Sequence, residues 1–180
     1  MRLTTAILLA AHLACNSHAP SSNEPRDAPA GSIVDAGLAA DSRAETALAR
    51  VTAIHGAPGP WAVLGYRMGD SALTTLGLPR GSFDLGIVHH TPEKVQYSCI
   101  ADGASAATGA SAGKLNLKLE PATEDAVFTE YVNKKTGAKL KLRPTPAFRT
   151  RFAEAPREKA HENGLLVMQL PEAELFEPAP

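Results

Sequence analysis

Two residues, His55 and Cys99, have side chains suited to metal binding or to nucleophilic catalysis. His55 ends a helical pattern and precedes a turn rich in glycine and proline, and Asp102 follows Cys99 by three residues. Imidazole, thiolate and carboxylate groups all bind zinc, and a thiol beside a base can act as a nucleophile. The pattern therefore allows a metal site formed by His55, Cys99 and Asp102, or a thiol enzyme in which His55 is the base for Cys99.

Each of the three residues also has a structural interpretation. A histidine at a helix end can cap the helix, and a lone thiol is often a small buried apolar group. Asp102 can stabilise the first turn of a helix through the helix dipole. If Cys99 itself lies just before a helix N-terminus, the pKa of its thiol falls and the thiol becomes more reactive.

Four further residues are candidates for contacting a small ligand: Trp61, Tyr66, Lys114 and Asn116. Trp61 can stack on a flat ligand or simply fill space. Lys114 and Asn116 follow a glycine turn that can present an ammonium and backbone N–H groups to an anion, although a solvated lysine at a strand entry gives the same pattern. Tyr66 lies beside Arg67 on a largely apolar helix, where we expect Arg67 to pair with a carboxylate.

Apolar periodicity predicts two helices that flank His55. One covers residues 41–56, with a polar N-cap at position 41 or 42, and the other runs from Pro60 to a C-cap at Gly77. Gly65 and Gly69 lie on one face of the second helix. Glycines four apart allow the close approach of another backbone or of a ligand.

In much of the remaining chain, apolar and polar residues alternate as they do in strands. "SFDLGIVHH" predicts a strand with Phe83, Leu85 and Ile87 on one face, and residues 95–113 pass from a strand end into a helix of small residues. "KLNLKLE", "DAVFTEYVN" and "AKLKLRP" predict further strands, with a hairpin at Gly137 between the last two. Two short helices close the chain. We expect an α+β fold with helices packed on a mainly antiparallel β-meander.

Composition places limits on partners and on domain number. The chain has 180 residues and a formal net charge of −1. This length suits one domain, and the charge gives no reason to expect nucleic acid as a partner. There are two cysteines, Cys15 and Cys99.

The N-terminus resembles a bacterial lipoprotein signal. Arg2 precedes the apolar run "LTTAILLAAHLA", which is too short to span a bilayer and suits a signal peptide ending at Cys15. We expect residues 1–15 to be this signal, Cys15 to be lipidated and residues 16–41 to be a disordered tether, followed by a domain at 42–177. The protein would be an exported lipoprotein of the cell envelope, on the periplasmic side or at the outer membrane. His12 departs from the usual motif, and a secreted protein cut near Ala14 or Ala19 is the alternative.

Two motifs in the domain resemble the FmdE-like family, which is named after a component of formylmethanofuran dehydrogenase. "HGxxxPxxxxGYRMG" begins at His55, and "CxxDx5TGx3GKxNL" begins at Cys99. The resemblance extends to about Phe176 through a hairpin similar to "NxKTGK" and a closing segment similar to "PEAELF". It implies an FmdE-like domain, binding of a metal such as zinc, and a homodimer. We do not carry over the dehydrogenase activity, since the family name denotes a cytoplasmic complex.

The ligand positions of this family are altered here. Ala57, Gly59 and Ala110 stand where relatives carry a histidine or a cysteine, and Trp61 replaces a glycine. We therefore expect zinc or another transition metal to bind only weakly. His89 or His90 would replace a missing ligand if one of them faced the pocket, but adjacent strand residues point to opposite faces.

The resulting hypothesis is an exported, membrane-tethered binding protein with a pocket around His55 and Cys99. Its ligand would be a metal, a metal-containing compound or a small organic molecule. The alternatives are a thiol enzyme that uses Cys99 with His55, and a degenerate interaction module without bound metal. The sequence leaves enzymatic activity open.

Overall fold

The computed structural model describes residues 33–180, with side chains from residue 37 onward. Six α-helices lie in this part of the chain: α1 Ile33–His55, α2 Pro60–Leu76, α3 Val95–Thr108, α4 Pro146–Arg151, α5 Ala160–Gln169 and α6 Glu172–Leu175. Five strands form one sheet: β1 Leu85–Thr91, β2 Leu117–Pro121, β3 Phe128–Asn133, β4 Lys139–Pro144 and β5 Phe176–Pro178. None of the helices within 33–180 is long and apolar enough to cross a bilayer.

The sheet is mixed, with the strand order β2-β1-β3-β4-β5. β1 pairs in parallel with β2, while the pairs β1–β3, β3–β4 and β4–β5 are antiparallel. Parallel neighbours require a crossover, and α3 supplies it between β1 and β2. The predicted α+β class is confirmed, and the meander is interrupted where β2 is added beside β1.

One face of β1 packs toward the helices. Leu85, Ile87, His89 and Thr91 alternate toward the buried side, as strand geometry requires. The sequence pattern predicts Phe83 on the same face, and this prediction is wrong. The chain turns through Gly81 (φ 85°) before β1 begins, so Phe83 precedes the strand and 67% of it is exposed.

The helices α2 and α3 touch backbone to backbone. A methyl group added at Gly65 would lie 2.0 Å from the carbonyl oxygen of Ile100, and one added at Gly103 would lie 1.7 Å from that of Ala62. Only glycine permits this approach. The expected close approach at Gly65 is confirmed, with another backbone as the neighbour and not a ligand.

Two predicted boundaries differ from the structure. The pattern predicts that the segment starting at Val95 begins with a strand end, but residues 95–98 are the first turn of α3, because Pro92 ends the pairing of β1 and the chain turns at Lys94. α1 begins at Ile33 and not at residue 41 or 42, since residues 33–40 include no proline and continue the helix. Residues 33–41, expected to belong to the tether, are therefore helical. Residues 1–32, with the predicted signal, Cys15 and the rest of the tether, lie outside the described residues.

Candidate functional site

His55 and Cys99 line the same cavity. It lies between the end of α1, the start of α2, the start of α3 and the segment after α4, and it measures about 300 Å³. A second cavity of about 390 Å³ adjoins it, because six lining residues are shared. We call the first, which contains Cys99, the thiol-side cavity, and the second, which contains Ala57, the turn-side cavity. His55 lines both.

His55 is positioned by Asp102. Its Nδ1 lies 2.8 Å from the Asp102 carboxylate, and His55 is partly exposed. A carboxylate only accepts hydrogen bonds, so Nδ1 carries the hydrogen, and in the neutral imidazole Nε2 keeps its lone pair. Such a carboxylate–histidine pair orients metal-binding histidines in many proteins. Asp102 itself lies outside the lining of both cavities, so its role in this geometry is to position His55.

Cys99 is a buried thiol in the second turn of α3. Its Sγ donates to the carbonyl oxygen of Gln96 at 3.3 Å. Burial raises the pKa of this thiol to about 12, and the nearby Asp102 carboxylate adds to the effect. The expectation of a lowered pKa is wrong, because α3 begins at Val95 and Cys99 is no longer at the helix N-terminus.

Trp61 forms an apolar wall of the thiol-side cavity. Its indole N–H donates to the carbonyl oxygen of Phe152 at 2.9 Å. Tyr97 and Phe148 meet the indole edge to face, with ring centroids 5.0 Å and 5.1 Å away. Trp61 therefore fills the space between α2, α3 and α4, and its remaining surface faces the cavity.

The other ligand-binding candidates lie outside the lining of both cavities. Tyr66 accepts a hydrogen bond from Arg50 at 3.4 Å. The Lys114 ammonium donates to the carbonyl oxygen of Gly109 at 2.8 Å, at the C-cap of α3. Asn116 is buried, and its Oδ1 accepts from the backbone N–H of Ser111. A ligand role for Tyr66, Lys114 and Asn116 stays a prediction.

Arg67 binds backbone carbonyls and not the expected carboxylate. Its Nη1 lies 2.9 Å from the carbonyl oxygens of Val167 and Met168 and 3.0 Å from that of Leu170, at the C-terminal end of α5. Burial lowers the pKa of Arg67, and the nearby carboxylates of Glu172 and Asp70 offset part of this effect. The helix end attracts the cation through its free carbonyl groups.

Neither His89 nor His90 replaces a missing ligand in the cavities. His89 is buried in the core, where Nε2 donates to the carbonyl oxygen of Tyr97 and Nδ1 accepts from the Thr129 hydroxyl. His90 stacks on Phe128 on the opposite face of β1. Within residues 33–180, no group of three or more His, Cys, Asp and Glu residues is arranged to hold a metal ion.

The altered ligand positions fall in two places. Gly59 lines both cavities and Ala57 the turn-side cavity, whereas Ala110 is buried beyond the far end of α3. The rise of 1.5 Å per residue puts the end of α3 roughly 13 Å from Cys99 along the helix axis. Ala110 therefore does not belong to the same site as Cys99 in this fold.

Sequence reasoning missed the fourth wall of the site. Phe152, Glu154 and Arg157 line the thiol-side cavity, and Arg157 also lines the turn-side cavity. These residues follow His55 only after the whole of β1–β4 and α2–α4, and they carry no local motif. The helix α5, which follows this segment, packs closely on the turn after α1. A methyl group added at Gly164 would lie 2.3 Å from the carbonyl oxygen of Pro58.

Comparison with known proteins agrees with the two motifs that surround His55 and Cys99. A search of curated proteins returned no match. The family model described as "FmdE, Molybdenum formylmethanofuran dehydrogenase operon" matches residues 54–177, which is well over half of the chain and includes every residue that lines the two cavities. The resemblance inferred from the motifs is confirmed, and the chain belongs to the FmdE family.

Proposed function

We propose that this FmdE-family protein is exported, is tethered to a membrane through Cys15, and binds a small ligand in the cavities beside His55 and Cys99. The observation that supports the binding site is the 2.8 Å contact between His55 Nδ1 and Asp102. It fixes the imidazole so that Nε2 is free to bind a metal or to accept a hydrogen bond. A carboxylate that orients a histidine at a cavity wall is a feature of binding sites.

The residues present do not make a structural zinc site. Such a site takes four protein ligands, and a catalytic one takes three. Of the three predicted metal ligands, His55 and Cys99 line the cavity, and the raised pKa of the thiol opposes the thiolate form that metals require. We therefore propose weak, exchangeable binding of zinc or another transition metal, or binding of a metal-containing or small organic ligand.

Restoring the family ligands of the turn tests this site. Gly59 lines both cavities, has φ −64° and has no atom within 4 Å of an added Cβ, so Gly59→Cys fits without strain. With Ala57→His, it should convert weak zinc binding into stoichiometric binding that survives dialysis. The matched control is Ala53→Cys, which adds a thiol on the exposed side of α1. Equal zinc retention by the control and the double variant would disprove a site at His55.

No observation favours the alternatives of a thiol enzyme or an interaction module. The homodimer expected from the resemblance also stays a prediction. Export and tethering rest on the sequence alone: palmitate labelling in cells should disappear in Cys15→Ser. An unchanged label would refute lipidation, and a mature protein that retains Met1 would refute export.

A further inference from the structure

Among residues 33–180, Arg157 is the one arginine or lysine that lines the two cavities. Arg157 is exposed and lines both the thiol-side and the turn-side cavity, as His55 does. Within residues 33–180, its guanidinium makes no ion pair and no hydrogen bond. The other arginines of the C-terminal half behave differently: Arg143 and Arg151 pair with carboxylates, and Arg149 donates to the carbonyl oxygen of Glu124. Arg157 is therefore available for a ligand.

We propose that the small ligand is an organic monocarboxylate with an apolar body, and that Arg157 binds its carboxylate group. This inference rests on the proposed function for the location of the site. The planar fork of a guanidinium donates two parallel hydrogen bonds to a carboxylate. The choice of a carboxylate thus follows from the donor that the cavity presents.

The orientation of the ligand follows from Glu154. Glu154, which is also exposed, lines the thiol-side cavity and is absent from the lining of the turn-side cavity, where Arg157 and His55 are the only titratable residues. A ligand carboxylate is repelled by Glu154 and attracted by Arg157, so it lies on the turn side. The apolar body then lies on the thiol side, against Trp61 and Phe152.

The same two charges limit the charge of the ligand. A single arginine, with Glu154 nearby, compensates one negative charge and not two. A monocarboxylate satisfies this balance, whereas a phosphate monoester would bring a second negative charge toward Glu154. This distinction separates carboxylates from phosphates, which the guanidinium alone would accept equally.

Calorimetric titration of the full chain with benzoate and with benzamide, its neutral counterpart, tests the proposal. Benzoate should bind about threefold more tightly than benzamide, as expected for an ion pair with an exposed arginine. Arg157→Gln should abolish this preference, and Glu154→Gln should strengthen benzoate binding by about threefold. Arg151→Gln, a change at an exposed arginine outside both cavities, is the matched control and should leave both affinities unchanged.

Three results would overturn the inference, and none of them decides the proposed function. Equal binding of benzoate and benzamide would leave a cavity that binds without selecting an anion. Tighter binding of inorganic phosphate than of benzoate would reject a carboxylate ligand. Absence of benzoate binding would reject the carboxylate site, whereas zinc retention by the Gly59→Cys variants would still report separately on the site at His55.

Discussion

The contact between α2 and α3 should tolerate no side chain at Gly103. An added Cβ would lie 1.7 Å from the carbonyl oxygen of Ala62 and 2.7 Å from the backbone nitrogen of Tyr66. Ordinary van der Waals contact begins at 3.4 Å, so the helices must separate by well over 1 Å. Overpacking of this kind costs typically about 1–3 kcal/mol, occasionally more. Because the atoms closest to the added Cβ belong to the backbone and cannot rotate away, we expect a cost in the upper part of this range.

The intrinsic preference of alanine for helices works in the opposite direction. Gly→Ala within a helix gains about 1 kcal/mol, which leaves a net loss of about 2 kcal/mol for Gly103→Ala. Gly37→Ala in α1 is the matched control, since an added Cβ meets nothing within 4 Å, and it should be neutral or stabilising. Urea unfolding followed by circular dichroism measures both free energies of unfolding. Equal stability of Gly103→Ala and the wild type would refute the backbone contact.

Two further predictions concern titratable groups. Burial lowers the pKa of His89 to about 4, below its ordinary value of 6.5, so the unfolded chain takes up a proton first as the pH falls. Protonation of His89 should therefore lower the free energy of unfolding by about 3 kcal/mol as the pH falls from about 6.5 to about 4. Urea unfolding of His89→Gln should show a flatter pH dependence than that of the wild type. Parallel pH profiles of the two proteins would show that His89 is not the source of the pH dependence. Cys99, whose pKa is raised to about 12, should resist iodoacetamide at neutral pH until the chain is unfolded in urea. Fast alkylation of the native protein at neutral pH would instead support the thiol enzyme.

Most elements are predictable from the sequence because their signals are local. Pro60 at the first turn and Gly77 at the C-cap mark both ends of α2, and the structure agrees at each. α3 is harder to delimit, since Val95, Gln96 and Tyr97 fit a strand as well as a helix. The assignment depends on the crossover between β1 and the parallel β2, which is a long-range pairing with no local signal.

The site is predictable only where the motif itself contains the lining residues. The family pattern places His55 and Cys99 together, and their shared cavity agrees with that placement. The pattern also assigns Asp102 to a metal, and this assignment stays a prediction. The hydrogen bond from His55 to Asp102 has no signal in the sequence, since helix spacing alone does not distinguish the two roles. Arg157 is brought to the cavity by the packing of α5 on the turn after α1, which no pattern in the sequence reveals.

The packing explains why the frame of the site persists without the usual ligands. The turn after α1 is held by contacts that involve no metal: Gly164 packs against Pro58, and Arg67 binds the carbonyl groups at the end of α5. α2 and α3 are joined through Gly65 and Gly103. None of these contacts involves the side chain at position 57 or 59, so we expect a change of residue at these positions to leave the fold of the chain unchanged. Restoring the usual ligands should alter binding while leaving the free energy of unfolding without metal nearly unchanged.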